Sequence, residues 1–270
     1  MKLLTALTIV IVLTAAAVEQ TLTPGSKEAQ AKQELNEAAS AYREGNFAEA
    51  QIHSERALQL DPQNKTALYF VARTIHAQYR PGIVTPENLA KAQEAITAYQ
   101  RILERIPGDD EAYKAIAYLY GALKEDELLR EWIFQRAGDV SLANDKRAEA
   151  FVVLASKDWD CSFKITEQPN IKVAVVDGNK MFVSYRMPEE RVEFERAKEC
   201  ANRGLEMANM AIALTPENES AWSYKANIFL ELEKLAEMSG KVRQKTELHR
   251  QYEEVLKQTM ELSKRPRSSP

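Results

Sequence analysis

The placement of alanine and proline constrains this chain more than any other feature. Ala41-Tyr42-Arg43-Glu44-Gly45-Asn46-Phe47-Ala48-Glu49-Ala50 leads into Ala57-Leu58-Gln59-Leu60-Asp61-Pro62. Small side chains at Ala50 and Ala57 let two helices cross closely without leaving a void. Pro62 ends the second helix, because proline lacks the N–H and clashes with the preceding turn. The pattern then returns. Leu68, Val71, Ala72 and Ile75 form one apolar stripe, and Ala95, Ile96, Tyr99, Ile102 and Leu103 form the next, closed by Pro107. Between them, Arg80-Pro81-Gly82-Ile83-Val84-Thr85-Pro86 reads as a loop whose end starts a helix: a Thr cap, Pro at the first position, and Glu87 near the dipole. Only nine Gly in 270 residues leave long stretches free of breakers, so the chain reads as mostly helical.

These segments resemble the tetratricopeptide repeat, a helix pair of about 34 residues. The family's Gly-polar-aromatic turn matches Gly45-Asn46-Phe47, its small crossing residues match Ala50 and Ala57, and its closing proline matches Pro62. A third unit carries Tyr113, Ile116, Ala117 and Tyr120 and pairs with a helix around Glu125 to Ala137 that lacks both the small crossing residue and the closing proline. The fourth carries Phe151, Leu154 and Ala155, and its second helix runs from about Glu189 to Leu214, closed by Pro216. The fifth begins at Trp222, Ala226 and Phe229, and its partner, about Gly240 to Ser263, has the polar outer face that a solenoid end requires. The expected fold is all-α: a right-handed solenoid of five antiparallel helix pairs over residues 28–263, with one short β-hairpin inserted at about 170–186. A basic, disordered tail is expected at 264–270.

The hairpin signal lies in the fourth unit, where β-branched residues flank Asp177-Gly178. A two-residue turn would mix apolar and polar neighbours across the strands. A three-residue connection, Asp177 to Asn179, sets Ile171, Val173 and Val175 opposite Tyr185, Val183 and Met181 and makes one face wholly apolar. We expect that arrangement, with the face packed on the protein's own helices. The alternative is an interaction arm.

The first residues read as an address rather than as fold. Met1-Lys2 is followed by the apolar run Leu3 to Leu13 and the small-residue site Ala15-Ala16-Ala17, so cleavage after Ala17 and export to a periplasm or the exterior are expected. The alternative is an uncleaved N-terminal anchor, although Leu3 to Val18 is shorter than the roughly twenty residues of a spanning helix. No other stretch is apolar enough to span a membrane, and residues 18–27 are expected to be a flexible lead-in.

Charge and chemistry narrow the function. Thirty-six Lys plus Arg against 40 Asp plus Glu give a net charge of −4, which excludes a nucleic-acid binder driven by bulk electrostatics. His53, His76 and His249 lie in different helix pairs and none has the i, i+4 spacing of a metal-binding helix. No phosphate-cradling glycine loop and no nucleophile elbow is present, so no catalytic residue, metal or cofactor is expected. The carboxylates Glu189, Glu190, Glu193 and Glu195 read as a solvated helix face. Cys161 and Cys200 come out roughly level on two antiparallel helices joined by the hairpin, at about 1.5 Å rise per residue, so a disulfide is expected in an oxidising compartment. Otherwise they are two separate buried thiols.

The resemblance implies a concave groove lined by first helices that binds a protein or peptide segment. In matching positions stand Tyr42, Arg43, Tyr69, Arg73, His76, Lys114, Tyr118 and Trp159. Aromatic and Arg side chains are the usual anchors of interfaces, and the alternative for each is packing between repeats. One subclass of the family clamps a terminal carboxylate with Lys and Asn in its first helix. Leu35 and Ala39 stand there instead, which disfavours that role. An exported, non-catalytic binding scaffold is therefore expected. The second reading is an envelope-assembly component that oligomerises through its outer face and hairpin.

Overall fold

In the computed structural model, residues 25–178 and 180–265 are described. The export segment 1–17 and its cleavage point lie outside them, as do most of the 18–27 lead-in and of the 264–270 tail. The described chain falls into two compact units that divide after Pro107.

The first unit is two helix pairs: α1 (Lys27–Arg43) with α2 (Phe47–Leu60), and α3 (Lys65–Gln78) with α4 (Pro86–Arg105). Alanines make its core. Ala38, Ala50, Ala57, Ala67, Ala72, Ala92 and Ala95 are fully buried, so helix backbones approach closely, while Leu68, Ile75, Ile96, Tyr99 and Ile102 fill the space between them. The loop before α4 closes as its sequence suggests. Thr85 accepts from the Asn88 N–H, Pro86 opens the helix, and the Asn88 amide ties back to the Arg80 and Ile83 carbonyls.

The second unit holds α5 (Asp110–Ala122), α6 (Asp126–Gly138), α7 (Asn144–Thr166), β1 (Lys172–Asp177), β2 (Lys180–Tyr185), α8 (Arg191–Leu214), α9 (Glu219–Met238) and α10 (Val242–Ser263). Its core lies where α7, α8 and α9 meet, around Leu154, Ala155, Ala197, Ala201, Ala208 and Ile228. Gly204 on α8 sits where a Cβ would come within 3.0 Å of the Ile228 side chain and 3.1 Å of that of Asp158, so the absence of a side chain lets the three helices pack tightly there.

A local device recurs in both units. Each of the turns α1–α2, α5–α6 and α9–α10 ends its first helix with one residue at positive φ: Gly45 (82°), Lys124 (59°) and Gly240 (66°). In each, the N–H after that residue reaches back five positions (Asn46 to Ala41, Glu125 to Tyr120, Lys241 to Ala236) and its own N–H reaches back three. This is the Schellman closure, which satisfies the orphan carbonyls of a helix end. The first helices α1, α3, α5 and α9 also begin alike. Ser26, Asn64, Asp109 and Asn218 each accept from the N–H of an alanine three residues on. The α1–α2, α5–α6 and α9–α10 pairs thus share both devices, α3 shares the cap, and the α7–α8 pair shares neither.

The hairpin departs from expectation. Asp177 pairs with Lys180 across a two-residue turn, and Val173, Val175 and Val176 pair with Ser184, Phe182 and Met181. The three-residue connection and its wholly apolar face are not formed. Two-residue turns match the right-handed twist of paired strands, and Gly178 supplies the positive φ of 59° that such a turn needs. Burial fixes register only where one face is covered. Here only the base is covered: the Tyr185 N–H and Ser184 hydroxyl donate to Glu237 on α9 at 2.9 and 3.1 Å. Val176 and Met181, nearer the tip, are 71% and 76% exposed.

Candidate binding surfaces

In the first unit the expected groove residues divide by burial. Tyr42 is half-buried, its ring 5.1 Å from Phe47 and 6.0 Å from Phe70, and so helps hold α1, α2 and α3 together. Arg43 is exposed, with Nε donating to the Ala39 carbonyl at the end of α1. On α3, Arg73 is exposed and Tyr69 and His76 are half-buried. His76 Nδ1 lies 3.2 Å from the Tyr99 hydroxyl, and burial lowers its pKa, which disfavours the charged ring.

In the second unit, Lys114 and Tyr118 on α5 are exposed, Tyr118 by 54%. Trp159 on α7 stands apart from them. Its ring lies 5.0 Å from Phe163 and 6.0 Å from Tyr224, so three half-buried aromatic rings bridge the adjacent first helices α7 and α9. Lys234 lies 5.1 Å from the Phe163 ring and 5.2 Å from that of Tyr185. The result is an aromatic face with a cation at one edge, a combination that serves recognition through ring stacking and cation–π contact.

Beneath this face is a charged network that the sequence reading did not single out. Glu231 is buried, yet it accepts from Thr166 Oγ1 at 2.7 Å and from Lys234 Nζ at 2.6 Å. Lys234 also donates to Glu167 at 2.8 Å, and Glu167 pairs further with Lys172 on β1. Burial opposes ionisation of Glu167, but hydrogen bonds from Lys172 and Lys234 outweigh it and hold the carboxyl below its usual range. Burial likewise disfavours charge on Lys234, and Glu231 and Glu167 more than restore it. A second buried carboxylate, Asp158, takes two hydrogen bonds from Arg130, at 3.0 and 2.9 Å, and two from Arg203, at 3.1 and 3.4 Å. The signal for both was periodicity. Asp158 interrupts the α7 stripe Phe151, Leu154, Ala155, Ser162, and Glu231 falls between Ile228 and Leu235 on α9. A carboxylate on an apolar stripe must find partners.

Beside Asp158, Cys161 and Cys200 are joined as a disulfide with their Cα atoms 6.0 Å apart, tying α7 to α8. Among the described residues, no group of three or more His, Cys, Asp or Glu is arranged to hold a metal ion, and no helix is long and apolar enough to cross a membrane. His53 and His249 pair with Glu34 and Glu233.

No family model matches the sequence, and no curated protein matches it. Solved structures do. MamA from Desulfovibrio magneticus RS-1 is 15% identical over 88% of this chain and 98% of its own, with a TM-score of 0.37, and a MamA RS-1 double mutant gives 15%, 87%, 94% and 0.42. A tetratricopeptide repeat protein from Parabacteroides merdae ATCC 43184 is 13% identical over 86% of this chain and 99% of its own, with a TM-score of 0.36. Scores at this level carry no argument by themselves. The weight rests on the helix pairs, the three Schellman turns and the repeated caps, and on these the chain is an all-α helical-repeat protein with one hairpin, similar to the tetratricopeptide repeat superfamily.

Proposed function

We propose that the protein is a non-catalytic, exported helical-repeat scaffold that captures a protein or peptide segment on the face made by its first helices. The observation that carries this reading is the aromatic trio Trp159, Phe163 and Tyr224 across α7 and α9, half-buried and edged by Lys234. Partly exposed aromatic rings held rigidly by their neighbours are the side chains that most often dominate binding energy. Taken unit by unit, Arg73 on α3 of the first and Lys114 and Tyr118 on α5 of the second are exposed cationic and aromatic groups, which suit a partner bearing carboxylates and apolar side chains. The Cys161–Cys200 bridge supports an oxidising compartment, and with it cleavage after Ala17.

The test captures the partner by cross-linking to the purified protein. It then measures partner affinity and melting temperature on Trp159→Ala, Tyr118→Ala and Arg73→Ala. Affinity should fall by about 1–2 kcal/mol or more per substitution without a comparable loss of stability. A lowered melting temperature with unchanged affinity of the folded fraction would mean that these side chains only hold helices together. For export, N-terminal sequencing should begin at Val18, and an intact Met1 terminus in the cytosol would refute cleavage.

One observation favours the second reading, assembly through the hairpin. Val176, Met181, Phe182 and Val183 are 71%, 76%, 47% and 49% exposed on one short arm. Met181→Lys should then convert an oligomer to a smaller species in light scattering, while a binding scaffold keeps its mass.

A further inference from the structure

A cavity of about 350 Å³ opens on the side of the second unit where α8, α9 and the start of α10 come together. Its floor is apolar: Phe194 and Leu235 are buried, and Leu232 and Met238 half-buried. Its rim is cationic in a protein that is acidic overall. Arg191 and Lys198 stand on α8, Lys241 stands at the α9–α10 turn, and Glu195 is the one carboxylate among the lining residues. Glu195 is already engaged, by Arg191 at 3.1 Å and Lys198 at 3.7 Å. Lys241 makes no ion pair among the described residues.

One helix start reinforces the sign of this site. α8 begins at Arg191 and α10 at Val242, both next to the cavity, and neither has a side-chain cap on its first N–H groups. Uncapped helix starts favour negative charge; the α8 start already has Glu190 as its cap residue and Glu193 in its first turn, whereas α10 has no acidic residue in its first turn and follows Lys241, so the α10 start is the one that favours an anion here. The other polar lining groups include the amides of Asn202 and Gln244, which can donate to an anion. The volume lies at the small end of the range for small-molecule sites, roughly 300–1,000 Å³.

We propose that this cavity binds a small amphipathic carboxylate, its aliphatic tail on Phe194, Leu232, Leu235 and Met238 and its carboxylate between Lys198 and Lys241. The site lies apart from the aromatic face of α7 and α9, so it stands or falls independently of partner capture there.

The experiment is calorimetric titration of the full chain with decanoate below its micelle concentration. Acetate and decyltrimethylammonium serve as controls that remove the tail and invert the charge. Decanoate should bind saturably, one per chain, while acetate and the cation should not. Lys241→Glu and Lys198→Glu should each weaken decanoate by about tenfold or more, as expected for the loss of a charge-assisted contact, with the melting temperature unchanged. Three results would overturn the site: no saturable decanoate binding, equal binding of decyltrimethylammonium, or the same affinity in both Lys variants.

Discussion

The two units solve the same packing problem with different materials. In the first, close helix crossings are made by buried alanines, and the buried polar groups are hydroxyls: Ser54, which donates to the Gln51 carbonyl, and Thr74, which donates to that of Val71. In the second, α7 and α8 run 23 and 24 residues, far longer than α2 or α3, and carry a disulfide, the buried carboxylate Asp158 and a glycine crossing at Gly204, while α9 packed on α7 brings a second buried carboxylate, Glu231. Short pairs close with the repeat's own small residues. A pair that has grown longer and been interrupted by a hairpin is held by specific cross-links. The contrast teaches that divergence from the repeat pattern is concentrated where covalent and ionic ties replace it.

Removing one such tie should break the second unit and spare the first. Lys234→Met keeps the aliphatic stem and leaves the buried Glu231 without its cation, an expected loss of about 3–5 kcal/mol. Chemical denaturation read separately in the two units checks this, and an unchanged second unit would contradict it. Reduction of Cys161–Cys200 is next. The bridge spans 39 residues, so its loss should cost about 3–4 kcal/mol on the chain-entropy model, measured as the shift in denaturation midpoint with and without reductant. Gly204→Ala should cost about 1–3 kcal/mol, because the Ile228 and Asp158 side chains must give way to admit a methyl group.

Smaller effects sharpen the comparison. Lys124 holds the positive φ that Gly45 and Gly240 hold in the equivalent turns. Lys124→Gly should therefore stabilise the second unit, by about 1 kcal/mol or less after the entropy of the unfolded glycine is charged against it, and a thermal melt reads the sign. Acid gives the smallest effect. Glu167 and Glu237 titrate below their usual 4.5 in the folded state, so the stability they lend is complete above about pH 4.5 and is lost as pH falls through their folded values. Amide exchange at the hairpin base should accelerate in that window. Amides in α1 and α3 serve as the reference.

Much of this was legible because repeats write their packing into spacing. Ala50, Ala57, Leu68, Ala72 and Ile96 are buried where the pattern put them, and the α4 start at Thr85-Pro86 follows from capping chemistry alone. The hairpin register was not legible, because the reading assumed a buried face, whereas only the base is covered and turn chemistry sets the pairing. Trp159 was expected as a groove residue, but its companions Phe163 and Tyr224 were not singled out, since their meeting depends on how α7 lies against α9. Asp158 and Glu231 were missed because carboxylates were read as solvated, although each sits on an apolar stripe.

The hydrogen bond from the Tyr185 N–H to Glu237 has a consequence for aggregation. A two-stranded arm offers neighbouring molecules an unprotected edge onto which further strands can add. At the base of β2, that edge is already occupied by a carboxylate from α9. A strand arriving there would have to displace a charge-assisted bond and then face the negative side chain. Addition of a strand to β2 is therefore opposed at the end nearest α9, and the part of that edge left open lies toward the hairpin tip.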